Sequence, residues 1–461
     1  MDSFIKEVKQ FWPLLILLIL GYFVLKVDIV AFWVYKIFLG LLPVLGTAVL
    51  AYTAHAFWLH YVEANFISGI EWVLLEIVPP RDVLRSPKAM ELFFTSALYH
   101  FSYKSGIESY WQGAVWFWFS LEIVSIDGQV HFYIRTPSRV KGLVETQMYA
   151  QYPQAQVKEV EDYTLAVDKI TLDSKYNLWG CEFKFTKPDA YPIKTYIDFG
   201  LDKDPKEEFK VDPISPVIEL FGSIGKGEQM WMQIVVTPSK KKFPEHAGLF
   251  TKTHDWVKES ELMVRKALAE FTRFNPNPVK PGTFSKEIRA PAFMDEMIKS
   301  AARKFLKVGF DTGIRICYVA KRELFNMSNR RNIRLIFRQY AAPYSNELSR
   351  INSTQADAFA SGERSLSSFI PATRATITRL SDRMLLEYRE REFFHPPMRH
   401  KIRFPWPISP FIFPNFMHHH TNVMNTEELA TLWHFPGQIL KVPTLERIES
   451  KEASPPTNLP I

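Results

Sequence analysis

One stretch of the sequence has the residue types of a phosphate-binding loop. It reads Gly222-Ser-Ile-Gly-Lys-Gly227, and Lys226 could reach a phosphate group. A working loop of this kind has Ser or Thr directly after the lysine and opens a helix whose N-terminus faces the anion. Here no Ser or Thr follows Lys226, and the residues from Glu228 to Val236 have the pattern of a strand. The segment is therefore predicted to be a loop that enters a strand, and no nucleotide site is expected.

Other chemically active residue types occur without the spacing that their chemistry requires. The run His418–His420 could suggest a metal, but adjacent histidines cannot point at one ion without strain, so a solvated loop is favoured. His434 is interpreted as a packed histidine at a helix end rather than a catalytic base. Cys181 and Cys317 have no metal-ligand spacing, and no serine lies in a nucleophile elbow. The sequence predicts no catalytic residue, no cofactor and no metal site. A protein that is not an enzyme is expected, and an enzyme whose site has no recognised motif is the alternative.

A basic stretch runs from Lys299 to Arg350. It contains about 12 Lys or Arg residues against about three acidic ones. A solvated face is the ordinary explanation, and a surface for the DNA backbone or for anionic lipid is the alternative. Arg330, Arg331 and Arg334 are the candidate nucleic-acid- or lipid-binding residues.

A short helix with a capping motif at its N-terminus is predicted at 425–436, near the end of the chain. Asn425 can accept a hydrogen bond from the first backbone N–H groups, and Glu428, three residues later, can reach back to it. An apolar stripe follows, and Pro436 and Gly437 end the helix. So short a helix must gain stability from packing, either on its own chain or on a partner, and it is interpreted as a docking element for a partner. Its candidate partner-binding residues are Asn425, Glu428, Leu429, Leu432, Trp433 and Phe435.

The N-terminal region carries two apolar runs, Phe11 to Leu25 and Ile37 to Leu59. The second has no formal charge and is long enough to cross a hydrocarbon core of about 30 Å. A transmembrane hairpin is predicted over residues 1–62, with Lys26 and Lys36 in the connecting turn; a buried helical hairpin is the alternative. The distribution of positive charges around the spans favours a topology in which both ends, and hence the soluble region, lie in the cytoplasm.

Composition is compatible with this picture. The chain has 461 residues, of which 47% are hydrophobic and 23% charged, so the part outside the membrane can bury a core. The net charge of +7 permits an anionic partner without requiring one. Two cysteines form no disulfide framework, which points to a reducing compartment. A multi-pass protein of the cytoplasmic (inner) membrane is expected.

The rest of the chain predicts an α+β fold. Val115 to Ile126 and Gln129 to Arg135 form a β-hairpin around the turn dipeptide Asp127-Gly128. A loop rich in Asn and Pro, Asn275 to Gly282, is interpreted as a domain boundary. Two α+β modules with antiparallel sheets are expected between the hairpin and a Pro-rich C-terminal arm. The predicted domains are 1–62, 63–250, 251–393 and 394–461.

Several segments resemble one family of proteins. The stretch Asn425-Thr-Glu-Glu-Leu-Ala-Thr-Leu-Trp-His-Phe-Pro-Gly437, with the tail Ser450 to Pro460, resembles the region ahead of the motor domain in membrane-anchored type IV secretion and conjugation ATPases of the HerA/FtsK-like superfamily. Shorter stretches are similar to the N-terminal region of the same proteins. They are Leu75 to Pro80, Ser86 to Glu91, Gly227 to Gln233 and Ile314 to Val319.

The resemblance implies a function without implying catalysis. No Walker motif occurs in the sequence, so none of the family's catalytic residues can be carried over. The chain is expected to be a membrane-anchored component that tethers and orients a separate DNA-translocating motor ATPase and assembles with it as an oligomer. Non-specific contact with DNA is left open. The alternative is an assembly factor of a pilus or another envelope complex that does not contact DNA.

Overall fold

The computed structural model describes most of the chain between residues 28 and 437. The described residues are 28–80, 83, 85–99, 105–202, 211–239, 243–244, 253–254, 261–262, 265, 292–343, 345–355, 373–394 and 421–437. They form an α+β fold in which helices pack on a large antiparallel sheet, so the predicted fold class is confirmed at that level. Most of the predicted Pro-rich arm lies outside the described residues.

The strands alternate in sequence with helices and loops. They are β1 (Trp72–Val78), β2 (Phe119–Ile126), β3 (Gln129–Pro137), β4 (Gln156–Val160), β5 (Tyr176–Phe185), β6 (Glu228–Pro238), β7 (Phe243–Pro244), β8 (Thr253–His254), β9 (Gly309–Lys321), β10 (Leu348–Ile351) and β11 (Asn422–Asn425).

The described helices differ widely in length. They are α1 (Asp28–Ser68), α2 (Lys88–Phe93), α3 (Gly106–Trp111), α4 (Lys141–Gln151), α5 (Ser215–Gly222), α6 (Ala292–Leu306), α7 (Met327–Leu335), α8 (Arg374–Glu390) and α9 (Thr426–Leu432). A π-helical turn, Phe94–Leu98, continues α2, and 3₁₀ turns lie at Ser138–Val140, Tyr163–Ala166 and Arg338–Tyr340.

Nine of the described strands form one sheet in the order β10-β5-β9-β6-β2-β3-β1-β4, in which β11 also pairs with β9. Each pairing is antiparallel. The predicted hairpin is confirmed as β2 and β3. Its turn residues Asp127 and Gly128 have φ angles of 54° and 87°, which is the left-handed pair that a type I′ turn requires.

The predicted division into two α+β modules at residues 250 and 251 is wrong for the sheet. β9 belongs to the second predicted module, yet it lies between β5 and β6 of the first, with Ile316 opposite Cys181 on one side and Met232 on the other. A loop rich in Asn and Pro separates strands along the sequence, but it does not decide which strands pair. The boundary loop Asn275 to Gly282 itself lies outside the described residues.

The N-terminal helix differs from the predicted hairpin. α1 is helical from Asp28, so Lys36 lies inside a helix rather than in a connecting turn. Within α1, Tyr35–Ser68 is long and apolar enough to cross a membrane, and no residue of its most apolar stretch is buried against the rest of the chain. The predicted first span, Phe11 to Leu25, lies outside the described residues. One candidate membrane-spanning helix is therefore described, and not a two-helix hairpin.

Both faces of the sheet are buried. One face packs under α2, α4, α5 and α9 around residues such as Met232 and Ile316. The other face packs under α8, where Met384 and Tyr388 contact side chains of β5, β6 and β9. α8 approaches closely because β5 has Gly180, where an added Cβ would lie 2.8 Å from the Met384 side chain. The sheet is thus the middle layer of the domain.

A second glycine on the α8 face of the sheet gives a test of this packing. A Cβ at Gly313 would overlap the ring of Phe393. We expect Gly313→Ala to lower the free energy of unfolding by about 1–3 kcal/mol, because the ring must move within a filled core. The measurement is denaturant unfolding of the full chain in detergent.

The matched control is Gly142→Ala in α4, where nothing lies within 4 Å of the added Cβ. This change should raise stability by about 0.5–1 kcal/mol, because Ala favours the helix over Gly. Equal stabilities for the two variants would contradict the close packing of Phe393 on β9.

Candidate functional site

The capped C-terminal helix, α9, begins as the sequence predicts. The backbone N–H of Glu428 donates to Asn425 Oδ1 at 2.8 Å, and the backbone N–H of Asn425 donates to Glu428 Oε2 at 2.9 Å. This is the reciprocal capping box, so the predicted local structure is confirmed. β11, immediately before the helix, pairs with β9 through Asn422 to Asn425.

The same helix is buried on every side. All residues of α9 are buried, and Trp433 follows it with no exposed surface. The Trp433 ring lies 5.6 Å from the ring of Phe132 and 6.1 Å from that of Phe94, and its Nε1 donates to the carbonyl oxygen of Glu122. α9 therefore packs into the core beside the sheet.

This placement corrects the docking interpretation. None of the six predicted partner-binding side chains is more than 2% exposed in the folded chain. A partner could reach them only if the helix left the core. The sequence signal was ambiguous because an apolar stripe on a short helix predicts burial without saying whether the same chain or another protein provides it.

Basic residues of α6, and Lys307 directly after it, hold the acidic residues of α9. Lys304 Nζ lies 2.9 Å from Glu428 Oε2, and both side chains are fully buried. Glu427 faces Arg303 at 3.4 Å and Lys307 at 2.9 Å. Three members of the predicted basic stretch are thus used in ion pairs within the chain, which reduces the positive charge available to an external partner.

A histidine–carboxylate pair fixes the end of this segment. His434 is buried, and its Nε2 lies 3.0 Å from Asp212 Oδ1, while the N–H of Gly437 donates to Asp212 Oδ2. Burial opposes ionisation of Asp212, but His434 and the hydrogen bonds from Ile214 and Gly437 outweigh it and lower the pKa of that carboxyl group. These contacts hold the chain in place as far as Gly437, the last described residue.

The opposite face of the sheet contains a row of buried polar side chains that sequence reasoning missed. Glu182, Arg315, Gln233 and Glu122 are register partners on four neighbouring strands, and none is exposed. Arg315 Nη2 lies 2.8 Å from Glu182 Oε1, and Arg315 Nη1 donates to Gln233 Oε1 at 3.4 Å. Gln233 Nε2 then donates to Glu122 Oε1 at 3.2 Å. We call these four residues the polar row.

Arg391 connects the polar row to the end of α8. It caps the helix in the left-handed conformation, with φ 52°, and its side chain is fully buried. Arg391 Nε lies 2.9 Å from Glu122 Oε1, and its Nη1 also pairs with Asp162. Burial alone would lower the pKa of Arg391, but the charges of Glu122 and Asp162 outweigh it and raise that pKa well above the usual value. The guanidinium therefore stays charged in the core.

These contacts are suited to holding elements together. Each charge of the polar row meets an opposite charge or an amide, and Tyr163 donates to Glu122 Oε2 at 2.7 Å. A buried charge without its partner costs several kcal/mol, so α8 must stay seated on the sheet. A usable signal was present in the sequence: Glu122 and Arg315 are single charges flanked by apolar residues within strands.

The described residues contain no group of three or more His, Cys, Asp or Glu side chains placed to hold a metal ion. The run His418–His420 lies outside them. Cys181 and Cys317 are both buried, and burial raises the pKa of the Cys317 thiol to about 12 and that of Cys181 well above its usual value. Both thiols are neutral at physiological pH and so are poor nucleophiles.

Comparison with known families gives one match. Residues 71–353, more than half of the chain, match a family described as a domain of unknown function, DUF8128. The chain belongs to this family. The DUF8128 region supplies β1 to β10, while α1 precedes it and α8, β11 and α9 follow it. No curated protein matches the chain.

The predicted basic candidates lie on α7, inside the DUF8128 region. Arg331 and Arg334 are exposed, Arg330 is half-buried, and Ile333 anchors the helix in the core. Asn326 caps α7 by accepting from the N–H of Ser328 at 2.9 Å. The structure thus keeps the three arginines on one short surface helix, apart from the buried α9.

The core position of α9 can be tested with two leucines. Leu429 in α9 has no exposed surface, whereas Leu165 is 66% exposed. We expect Leu429→Ala to lower the free energy of unfolding by about 2–5 kcal/mol, and Leu165→Ala by no more than about 0.5 kcal/mol. Thermal melting of the detergent-solubilised chain provides the comparison. An unchanged melt for Leu429→Ala would restore the docking interpretation.

The ion pairs of Arg391 predict a pH dependence in acid. Burial would raise the pKa of Asp162, but the charge of Arg391 and hydrogen bonds from Arg391 and Thr164 lower it below 3.8. The stability that Asp162 provides is therefore fully present above pH 3.8 and is lost as pH falls through the lower folded-state pKa. Asp162→Asn should be less stable than wild type at pH 7, and the difference should shrink below pH 3.8. A difference that stays constant from neutral to acid pH would show that the pair with Arg391 is not responsible.

Proposed function

We propose that the protein is a non-enzymatic, membrane-anchored component of a machine resembling type IV secretion or conjugation systems. In this role it tethers and orients a separate HerA/FtsK-like motor ATPase that moves DNA, and it assembles with that motor as an oligomer. It resides in the cytoplasmic membrane, with the sheet domain in the cytoplasm. The proposal goes beyond the family match, which carries no function.

The observation that carries the proposal is the course of α1. Its apolar stretch faces outwards, and the helix continues without a break to Ser68, four residues before β1 begins at Trp72. Phe66 and Ile67, in its last turns, pack against Val115 and Trp118 of the domain. A helix fixed at its end in this way transmits its orientation to the sheet, as a tether for a large motor requires.

The polar row supports a structural role for the domain. Its charges are satisfied within the chain, and they join the sheet of the DUF8128 region to α8. These ion pairs make the domain resist distortion, because separating α8 from the sheet would leave charges buried without partners. A rigid domain is suited to positioning a partner that does mechanical work.

An exposed surface has to contact the partner or the DNA, since α9 is buried. α7 and the turn before it combine basic and apolar exposed side chains. Arg331 and Arg334 lie beside Met327 and Leu335, which are 49% and 56% exposed. We propose that the arginines of this surface bind the phosphate backbone of the translocated DNA, because exposed arginines bind phosphate without requiring a particular base sequence.

One observation favours a second candidate, a membrane-bound assembly factor of a pilus or another envelope complex without DNA contact. Arg303, Lys304, Lys307 and Arg315, four members of the basic stretch, form ion pairs inside the chain. The positive surface is accordingly smaller than the sequence suggests. In this candidate α7 would bind a protein rather than DNA.

Purification from native membranes tests the main proposal. The tagged full-length protein, extracted in mild detergent, should bring with it a polypeptide that has a Walker motif and hydrolyses ATP. The isolated chain should show no ATP turnover, and Lys226→Ala should change nothing, because Lys226 precedes a strand instead of opening a helix. Turnover by the isolated chain that Lys226→Ala abolishes would overturn the non-enzymatic role. Recovery of an envelope complex without a motor would favour the second candidate.

DNA binding distinguishes the two candidates further. Reversing the charge with Arg331→Glu and Arg334→Glu should weaken binding of a random duplex and lower the slope of log affinity against log salt by about 1.8, at about 0.9 per lost phosphate contact. The control reverses Lys169 and Arg265, whose side chains are 76% and 72% exposed, and so makes the same change in net charge. Fluorescence anisotropy over a salt series gives both slopes. Equal slopes for both double variants would contradict a DNA-binding role of α7.

A further inference from the structure

α3 is a six-residue helix that exposes large apolar side chains. Ile107 is 69% exposed and Trp111 is 62% exposed. The helix is nevertheless well formed, because Ser105 and Glu108 make a complete capping box with hydrogen bonds of 3.1 and 2.8 Å. An ordered helix that presents Ile and Trp outwards requires an environment that accepts them.

α3 is attached to the side of α1. Trp58 Nε1 donates to the carbonyl oxygen of Tyr110 at 3.1 Å, and the rings of Trp58 and Trp111 meet edge to face at 5.5 Å. Just after α3, Gly113 has φ 64°, and a Cβ there would overlap the backbone of Val62. Only glycine allows this approach, so the position of α3 along α1 is fixed by backbone contact.

This attachment lies at one end of the apolar part of α1. Trp33, near the other end, is about 37 Å from Trp58 along the helix axis at about 1.5 Å per residue. That distance exceeds a hydrocarbon core of about 30 Å and is less than the roughly 40–45 Å of a whole bilayer. Trp33 and Trp58 are therefore spaced to lie in the two interfacial regions, where Trp and Tyr are enriched.

We infer that Trp58, Tyr61, Ile107, Tyr110 and Trp111 form a largely aromatic, apolar collar that lies in the headgroup–acyl boundary of the lipid bilayer. The collar lies on α1 and α3 beside the point where α1 leaves the membrane, and its partner is the lipid interface. This inference rests on the proposed membrane anchoring of α1 and adds a second contact with the membrane, contributed by the domain side of the chain.

The collar has a mechanical consequence. A single helix that crosses a bilayer can tilt and rotate about its own axis, and a domain fixed to its end tilts and rotates with it. Val115 and Trp118, which follow α3 closely, pack with Phe66 and Ile67 against the sheet domain. A domain attached both through α1 and through α3 has its height and tilt above the bilayer fixed.

Spin labelling at one position tests the inference in the full chain. Cys181 and Cys317 are the only cysteines in the sequence and both are buried, so a label reacts with an added surface cysteine. Ile107→Cys places the label on the collar. Leu165→Cys is the matched control, since Leu165 is 66% exposed and belongs to the 3₁₀ turn Tyr163–Ala166 rather than to α1 or α3. Phe38→Cys, at a 58% exposed position of α1, is the reference for the hydrocarbon core.

The labelled chains are reconstituted in phosphatidylcholine vesicles, and the accessibility of each label to oxygen and to a water-soluble nickel chelate is measured. We expect the ratio of oxygen to nickel accessibility to be several-fold higher at position 107 than at position 165, and highest at position 38. A water-like ratio at 107 together with a hydrocarbon-like ratio at 38 would overturn the collar while leaving the membrane anchor intact. Water-like ratios at both 38 and 107 would overturn the anchor and the collar together.

Discussion

Arg315 is a permanent charge on a sheet strand that is sealed from water, and the arrangement of the domain follows from the need to satisfy it. Removing a guanidinium from water costs several kcal/mol unless its donors find partners. Glu182 and Gln233 on the neighbouring strands provide two of them, and the carbonyl oxygen of Glu392 provides a third. Since Glu392 follows α8, the strand order and the seating of that helix are tied to the same charge.

The two segments that close the domain come from outside the DUF8128 region. α8 and Arg391 cover one face of the sheet, while β11 and α9 extend the sheet beside β9 and fill the other face. Each closure combines apolar burial with buried ion pairs, Arg391 with Glu122 on one face and Lys304 with Glu428 on the other. The domain is therefore a closed body, with the buried C-terminal helix as part of it and α1 as its proposed membrane anchor.

The sequence by itself determined the features that depend on neighbours along the chain. The apolar run after Lys36 predicts a helix, Asp127-Gly128 predicts the hairpin turn, and Asn425 with Glu428 predicts the capping box. In each case the hydrogen bonds or the periodicity involve residues within a few positions of one another, so local chemistry is sufficient. The same applies to the residues after Lys226, whose alternation of side chains predicts the strand β6.

Only the tertiary structure decided which surfaces face one another. Local periodicity showed that β9 is a strand, but not that it lies between β5 and β6, because sheet order arises from pairing between residues far apart in sequence. In the same way, an apolar stripe showed that α9 must be covered, but the core of its own chain covers Trp433. Arg315 and Lys304 appeared among the basic residues of a candidate surface. Their carboxylate partners, Glu182 and Glu428, are more than a hundred residues away in sequence, so only the fold could show that these charges are internal.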